Sequence, residues 1–116
     1  MTLIHRDFFL GFVRIHILHH AAREPIYGLS MIEELRRHGY DISPGTLYPT
    51  LHGLEKDRLL EREDRVVGGR VRKYYRATPA GLRALEEAKM KIRELVAEVL
   101  EGEGPESLRD PPGEQA

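Results

Sequence analysis

Two groups of side chains in this chain have the types and spacing for chemistry. His16, His19 and His20 fall at i, i+3 and i+4 of a stretch that reads as helix, so their imidazoles emerge from one side. That spacing can chelate a divalent transition metal such as zinc or cadmium through neutral imidazole nitrogens. His16 and His20 would supply two ligands, and His19, an acid, water or a residue of a partner chain would complete the set. The plainer reading is structural: histidines in a last turn suit the negative end of a helix, and a helix buried at an interface can hold them as hydrogen-bonded polar groups. The second group is basic. Arg70, Arg72, Tyr74 and Arg76 share one face of a strand-like run by period two, with Val71, Tyr75 and Ala77 on the other. A row of cations, with Lys73 among them, suits phosphate. Its alternative is a solvated edge that discourages sheet pairing. Glu61, Glu63 and Asp64 are placed to pair with these arginines across a hairpin.

No catalytic set accompanies them. The chain has no cysteine, hence no disulfide, thiolate metal site or thiol nucleophile. Without a paired-acid site or a phosphate loop, nothing assigns an enzymatic role. The absence of cysteine agrees with a cytoplasmic protein. No apolar run is long enough to span a membrane.

The elements that must position these residues follow from periodicity. Residues 2–22 read as a first helix, and Phe8, Phe9, Leu10, Phe12, Val13, Ile15, Ile17 and Leu18 cover nearly every side of it. A chain of 116 residues has room for one small domain and can rarely surround such a helix, so a second copy is expected to cover it. Tyr27 to His38 reads as a second helix, with Gly39 as its closing residue. A tight turn leads to Ser43, an N-cap, and Pro44, a first-turn proline. Leu47, Leu51 and Leu54 then form one apolar stripe. The opposite face carries Gly45, Pro49, His52, Gly53 and Lys56, which has little bulk and almost no acid. Pro49 is expected to distort the helix locally. Residues 60–67 and 70–77 read as strands joined by Gly68-Gly69. Thr78-Pro79 opens a last helix on which Leu85, Ala88, Ile92, Leu95 and Val99 repeat as a coiled-coil-like seam. A thin-faced helix followed by a basic hairpin is the sequence form of a winged helix-turn-helix. Residues 101–116 hold five acids and one base, so the rest of the chain carries +3 although the whole carries −1.

Three runs then carry a resemblance: Y-G-L-S-M-I-E-E-L, G-Y-D-I-S-P-G-T-L-Y-P-T-L-H-G-L-E-K-D and G-G-R-V-R-K-Y-Y-R-A-T-P-A-G. Over roughly the first hundred residues the chain resembles the PadR family of transcriptional regulators, in its compact branch with one C-terminal dimerisation helix. The resemblance implies a winged-helix homodimer, usually a repressor of double-stranded operator DNA, with the last helix swapping against the partner's first helix. It assigns DNA contact to the helix carrying Thr46, Tyr48 and Pro49 and to the wing carrying Arg70, Arg72 and Lys73. Ser43, Gly45 and His52 join them from the reading of the helix. It also implies an effector, with aromatic small molecules among those of the family. One departure stands out: Arg58 sits where the family commonly has a glycine closing the reading helix.

The expected architecture is therefore mainly α with a small β-hairpin wing. Residues 1–77 would form the DNA-binding domain, 78–101 the dimerisation helix, and 102–116 a disordered acidic tail. Phe8, Phe12, Leu85, Ile92, Leu95 and Val99 are the expected dimer contacts. Two alternatives remain: a metal-responsive sensor using the histidines, and a winged-helix module that binds protein rather than DNA.

Overall fold

The computed structural model describes residues 3–102. The acidic segment beyond Gly102, read from the sequence as disordered, lies outside the described residues. Helices α1 (Leu3–Arg23), α2 (Gly28–Arg37) and α3 (Pro44–Lys56) are followed by strands β1 (Leu60–Val67) and β2 (Arg70–Ala77), then helix α4 (Pro79–Leu95) and a π-helical turn (Val96–Leu100). This is the mainly helical winged architecture expected, and no described helix is long and apolar enough to cross a membrane.

The core assembles from the apolar stripes. Val13, Ile17 and Leu18 of α1 meet Met31, Ile32 and Leu35 of α2, and the α3 stripe Leu47, Leu51 and Leu54 closes against them. Leu60 and Tyr75 add the base of the wing, and Leu85 adds α4. Each fully buried side chain of this size contributes about 1.5–3 kcal/mol of transfer free energy. Nearly every face of α1 is apolar, yet only one face is buried here: Phe8 and Phe12 remain 61% and 50% exposed.

The hairpin has the expected register. Val67 pairs with Arg70 and Leu60 with Ala77. Gly68 and Gly69 take φ of 58° and 79°, the left-handed pair that a two-residue turn of the favoured twist requires. Ile26, unremarked in the sequence, adds a short third rung. Its N–H donates to the Tyr75 carbonyl at 2.9 Å, and the Tyr75 N–H donates back at 2.7 Å.

Two helix ends close in the same way with different residues. After α2, the Tyr40 N–H reaches the Leu35 carbonyl and the Gly39 N–H the Arg36 carbonyl. After α3, the Leu59 N–H reaches the Leu54 carbonyl and the Arg58 N–H the Glu55 carbonyl, both at 2.9 Å. Both are Schellman ends. The first uses Gly39 at φ 85°; the second holds Arg58 at φ 62°, the only described residue other than glycine with positive φ. Arg58 thus adopts a backbone conformation that glycine takes freely and carries the strain of a side chain there.

That strained end is tied to α4. The Thr78 hydroxyl donates to the Arg58 carbonyl at 2.6 Å and accepts the Gly81 N–H at 3.0 Å. The Thr78 N–H donates to the Leu59 carbonyl at 3.1 Å. A Cβ on Gly81 would stand 2.1 Å from that carbonyl oxygen, so only glycine fits.

The packed body runs through Leu85, and residues from Glu86 onward form a second unit. Gly81 and Leu85 at the start of α4 are buried with the winged body. In the second unit, Met90, Ile92, Leu95, Val99 and Leu100 are all exposed. The Glu101 N–H bonds the Val96 carbonyl, the wide i→i+5 pattern, so Val99 falls out of the phase of the seam expected through 101.

Two substitutions test this reading of the α3–α4 junction. Arg58→Gly relieves left-handed strain against a smaller entropic loss, and is expected to raise unfolding free energy by about 0.5–1 kcal/mol. Gly81→Ala is expected to lower it by about 2–3 kcal/mol. Urea denaturation reads both; an Arg58→Gly midpoint below wild type would contradict the strain assignment.

Candidate nucleic-acid interface

Burying Leu47, Leu51 and Leu54 leaves the other side of α3 to solvent. Ser43, Gly45, Tyr48, Pro49, His52, Gly53 and Lys56 are exposed, and Thr46 is half-buried. Glu55 is the only acid of the helix and is half-buried. This face approaches a polyanion without like-charge repulsion.

Its N-terminus departs from the expected capping. Ser43 has the extended backbone of an N-cap, but its hydroxyl bonds no helical N–H. It points at the Thr46 hydroxyl, 3.5 Å away, while the Ser43 carbonyl accepts from Thr46 and Leu47. The helix passes through Pro49 unbroken. Pro49 cannot donate to the Gly45 carbonyl, and the Thr50 hydroxyl donates to the next carbonyl, that of Thr46, at 2.8 Å. The start of α3 therefore presents a serine hydroxyl with no capping duty beside an exposed glycine.

Tyr48 leans on the first residue of α2. A Cβ on Gly28 would come within 2.6 Å of the Tyr48 ring. An open crevice of about 400 Å³ lies between Tyr48, Tyr27, Leu29 and the wing residues Val71, Arg72 and Lys73. The start of α3 and the wing thus line one crevice through Tyr48, Arg72 and Lys73.

The wing cations are not equivalent. The Arg72 guanidinium lies 4.3 Å over the Tyr27 ring, and Arg65 lies 4.5 Å over Tyr74. Tyr27 and Tyr74 meet edge to face at 5.4 Å. This stack braces the wing against the start of α2, so the half-buried Arg72 is a strut as well as a charge. Arg76 pairs with Glu63, as does Arg65, and Arg62 pairs with Asp64. The Arg65 hydrogen bond holds the Glu63 carboxyl below its ordinary range. Arg70 and Lys73 are exposed and make no ion pair among the described residues. The row of equal cations read from the sequence is therefore two free charges and two engaged ones. The signal missed was Tyr27, an aromatic whose partner is 45 residues away in the chain.

The remaining sequence candidates divide. Phe8, Phe12, Ile92, Leu95 and Val99 are exposed, whereas Leu85 lies in the chain's own core at 5% exposure. His16 and His20 come together, but their third partner is His38 at the end of α2 rather than His19. Glu34, one turn before His38, faces the same group at 3.3 Å from His38. Sequence spacing within one helix could not show this; the i, i+4 pair Glu34 and His38 was the only hint.

The model of the transcriptional regulator PadR-like family matches residues 17–87. The chain is 57% identical over 98 residues to the transcriptional regulator Rv3488 of Mycobacterium tuberculosis, covering 84% of this chain and 92% of that protein. Among solved structures it resembles a PadR family transcriptional regulator from Eggerthella lenta, at 35% identity and TM-score 0.74, covering 84% and 87% of the two chains. A PadR-like transcription factor from Bacteroides fragilis aligns at 30% identity and TM-score 0.75, covering 86% and 98%.

The bracing stack has a direct test. Tyr27→Ala removes the seat of Arg72 and the partner of Tyr74, a loss of about 1–2 kcal/mol from one cation–π and one aromatic contact. Amide exchange in β2 around Arg72–Tyr74 is expected to quicken while protection in α1 is retained. Unchanged exchange in β2 would show that the stack does not brace the wing.

Proposed function

This chain belongs to the PadR-like family of transcriptional regulators, and from that premise we propose that it is a homodimeric, sequence-specific repressor of double-stranded operator DNA, relieved by a small ligand or metal ion. The observation that carries the reading is the crevice in which Tyr48 of α3 faces the wing residues Val71, Arg72 and Lys73, beside the acid-poor exposed face of α3. In it α3 lies in the major groove, with Thr46 and His52 at base edges and Ser43 and Gly45 near the backbone. Arg70 and Lys73 take phosphates, which position the protein without specifying sequence. A winged module that binds only protein has no need of unpaired cations beside such a face.

The dimer rests on apolar surface that one chain leaves open. Phe8 and Phe12 on α1, and Ile92, Leu95 and Val99 further on, are exposed side chains of the kind a second copy would cover. Two such heads would meet half-sites one helical turn, about 34 Å, apart. An aromatic effector entering between subunits is one means of relief, supported by exposed Phe8 and Phe12; a metal ion is the other, supported by the histidine group.

Leu95→Asp places a charge in the proposed seam and is expected to shift the protein toward monomer in light scattering. A dimer that persists in that variant and in Ile92→Asp would put the interface elsewhere.

The DNA contacts separate by kind. On an operator selected from genomic fragments, Thr46→Ala and His52→Ala should each relax preference at particular base pairs by roughly 1–3 kcal/mol. Arg70→Ala should weaken operator and random DNA alike and flatten the salt dependence by about 0.9 in log–log slope. Equal losses on operator and random DNA for every variant would mean that α3 does not read bases.

A further inference from the structure

We propose that His16, His20 and His38, with Glu34, form a binding site for one divalent transition-metal ion of the zinc class, and that the bound ion clamps α1 to the turn leading into the reading helix. One ligand nitrogen from each histidine lies within 4.8 Å of the others. The His16 ring stacks on His38 at 4.9 Å and lies near-parallel to His20 at 6.5 Å. Glu34 Oε1 stands 3.6 Å from His20 Nε2 and 3.3 Å from His38 Nε2. Three imidazoles and one carboxylate make up a donor set that zinc-class ions take at about 2.0–2.2 Å. Tetrahedral donors sit roughly 3.4 Å apart, so the three imidazole nitrogens, already within 4.8 Å of one another, need to draw together by about an ångström to close on an ion.

The arrangement is hard to account for as packing. Any protonated imidazole repels the other two, and one carboxylate must answer all three. Burial first, then the neighbouring His38, His20 and His19, holds His16 below the ordinary histidine range; burial does the same for His20. Arg37 holds the far oxygen of Glu34 at 3.2 Å, and Tyr40 meets the His16 ring at 5.3 Å. These contacts orient the donors in the way outer partners orient metal ligands.

The site joins two elements of one chain. His16 and His20 lie one turn apart on α1, and His38 is the C-cap of α2, followed by Gly39–Ile42 and then Ser43. An ion here ties the turn of the helix-turn-helix to the helix that carries Phe8 and Phe12, with no donor from a second subunit. For its consequence, though not for its chemistry, this inference rests on the reading of the protein as an operator-binding regulator.

The test titrates Zn²⁺, and Co²⁺ as a spectroscopic stand-in, into the full chain and into His38→Ala, Glu34→Gln and His19→Ala, with far-UV circular dichroism confirming the fold. Wild type and His19→Ala should take one ion per chain, show visible Co²⁺ d–d absorption and gain thermal stability on Zn²⁺ addition. His38→Ala should lose at least tenfold in affinity along with the absorption band, and Glu34→Gln should lose less. Equal binding by His38→Ala and wild type, or loss in His19→Ala alone, would overturn the site. Operator affinity, measured in parallel, should change several-fold with Zn²⁺ in wild type and not in His38→Ala; no change in wild type would overturn the clamp. Failure to bind DNA with or without Zn²⁺ would defeat the regulator reading and leave the metal result standing on its own.

Discussion

The structure depends on a knot of backbone at the end of α3. The Thr78 hydroxyl accepts a hydrogen bond from the Gly81 N–H and donates one to the Arg58 carbonyl, and the Leu59 carbonyl sits against Gly81 where no side chain fits. Arg58 and Leu59 end α3, Leu60 opens β1, Ala77 closes β2 and Pro79 opens α4. One hydroxyl and one missing Cβ therefore join the end of α3 to the start of α4 at the base of the wing. Each such hydrogen bond contributes only about 1 kcal/mol net, and leaving the part-buried Gly81 N–H unpaired would add the cost of its desolvation. The geometry is cheap to keep and costly to disturb.

This constraint explains how a small body presents a precise surface. The α3 stripe is anchored in the core, its C-terminal end is tied to Thr78, and its N-terminal half meets Gly28 through Tyr48. The wing is held at its base by the Ile26 rung and part-way along by Tyr27 under Arg72. What remains exposed on both elements is what can meet a polyanion: hydroxyls, a histidine, small residues and unpaired cations. The histidine group lies on another side of the same helix-turn-helix, where α1 meets the end of α2.

Much of this was legible in the sequence because it is local. The Gly68-Gly69 turn set the strand limits, the leucine spacing placed the buried side of α3, and Gly39 ended α2 as its conformational freedom suggests. The parts that escaped depend on residues far apart in the chain. Arg58 takes a glycine's backbone because Thr78 and the Schellman bonds over-determine it, which no local propensity reports. Arg72 stacks on Tyr27, and His38 joins His16 and His20, only once α1, α2 and the wing have packed. The π-helical turn at Val96–Leu100 interrupts a repeat that the spacing alone would continue. Ser43 occupies the N-cap position, yet its hydroxyl is left free of that task.

The central claim is that the exposed face of α3 reads the major groove while the wing holds the backbone. Methylation interference on a DNA fragment recovered with the protein tests it most directly, since guanine N7 lies on the major-groove floor. The account predicts two clusters of interfering methyl groups about one helical turn, roughly 34 Å, apart, each flanked by phosphates whose ethylation also blocks binding. Binding that tolerates N7 methylation throughout the fragment, with phosphate ethylation alone interfering, would contradict it.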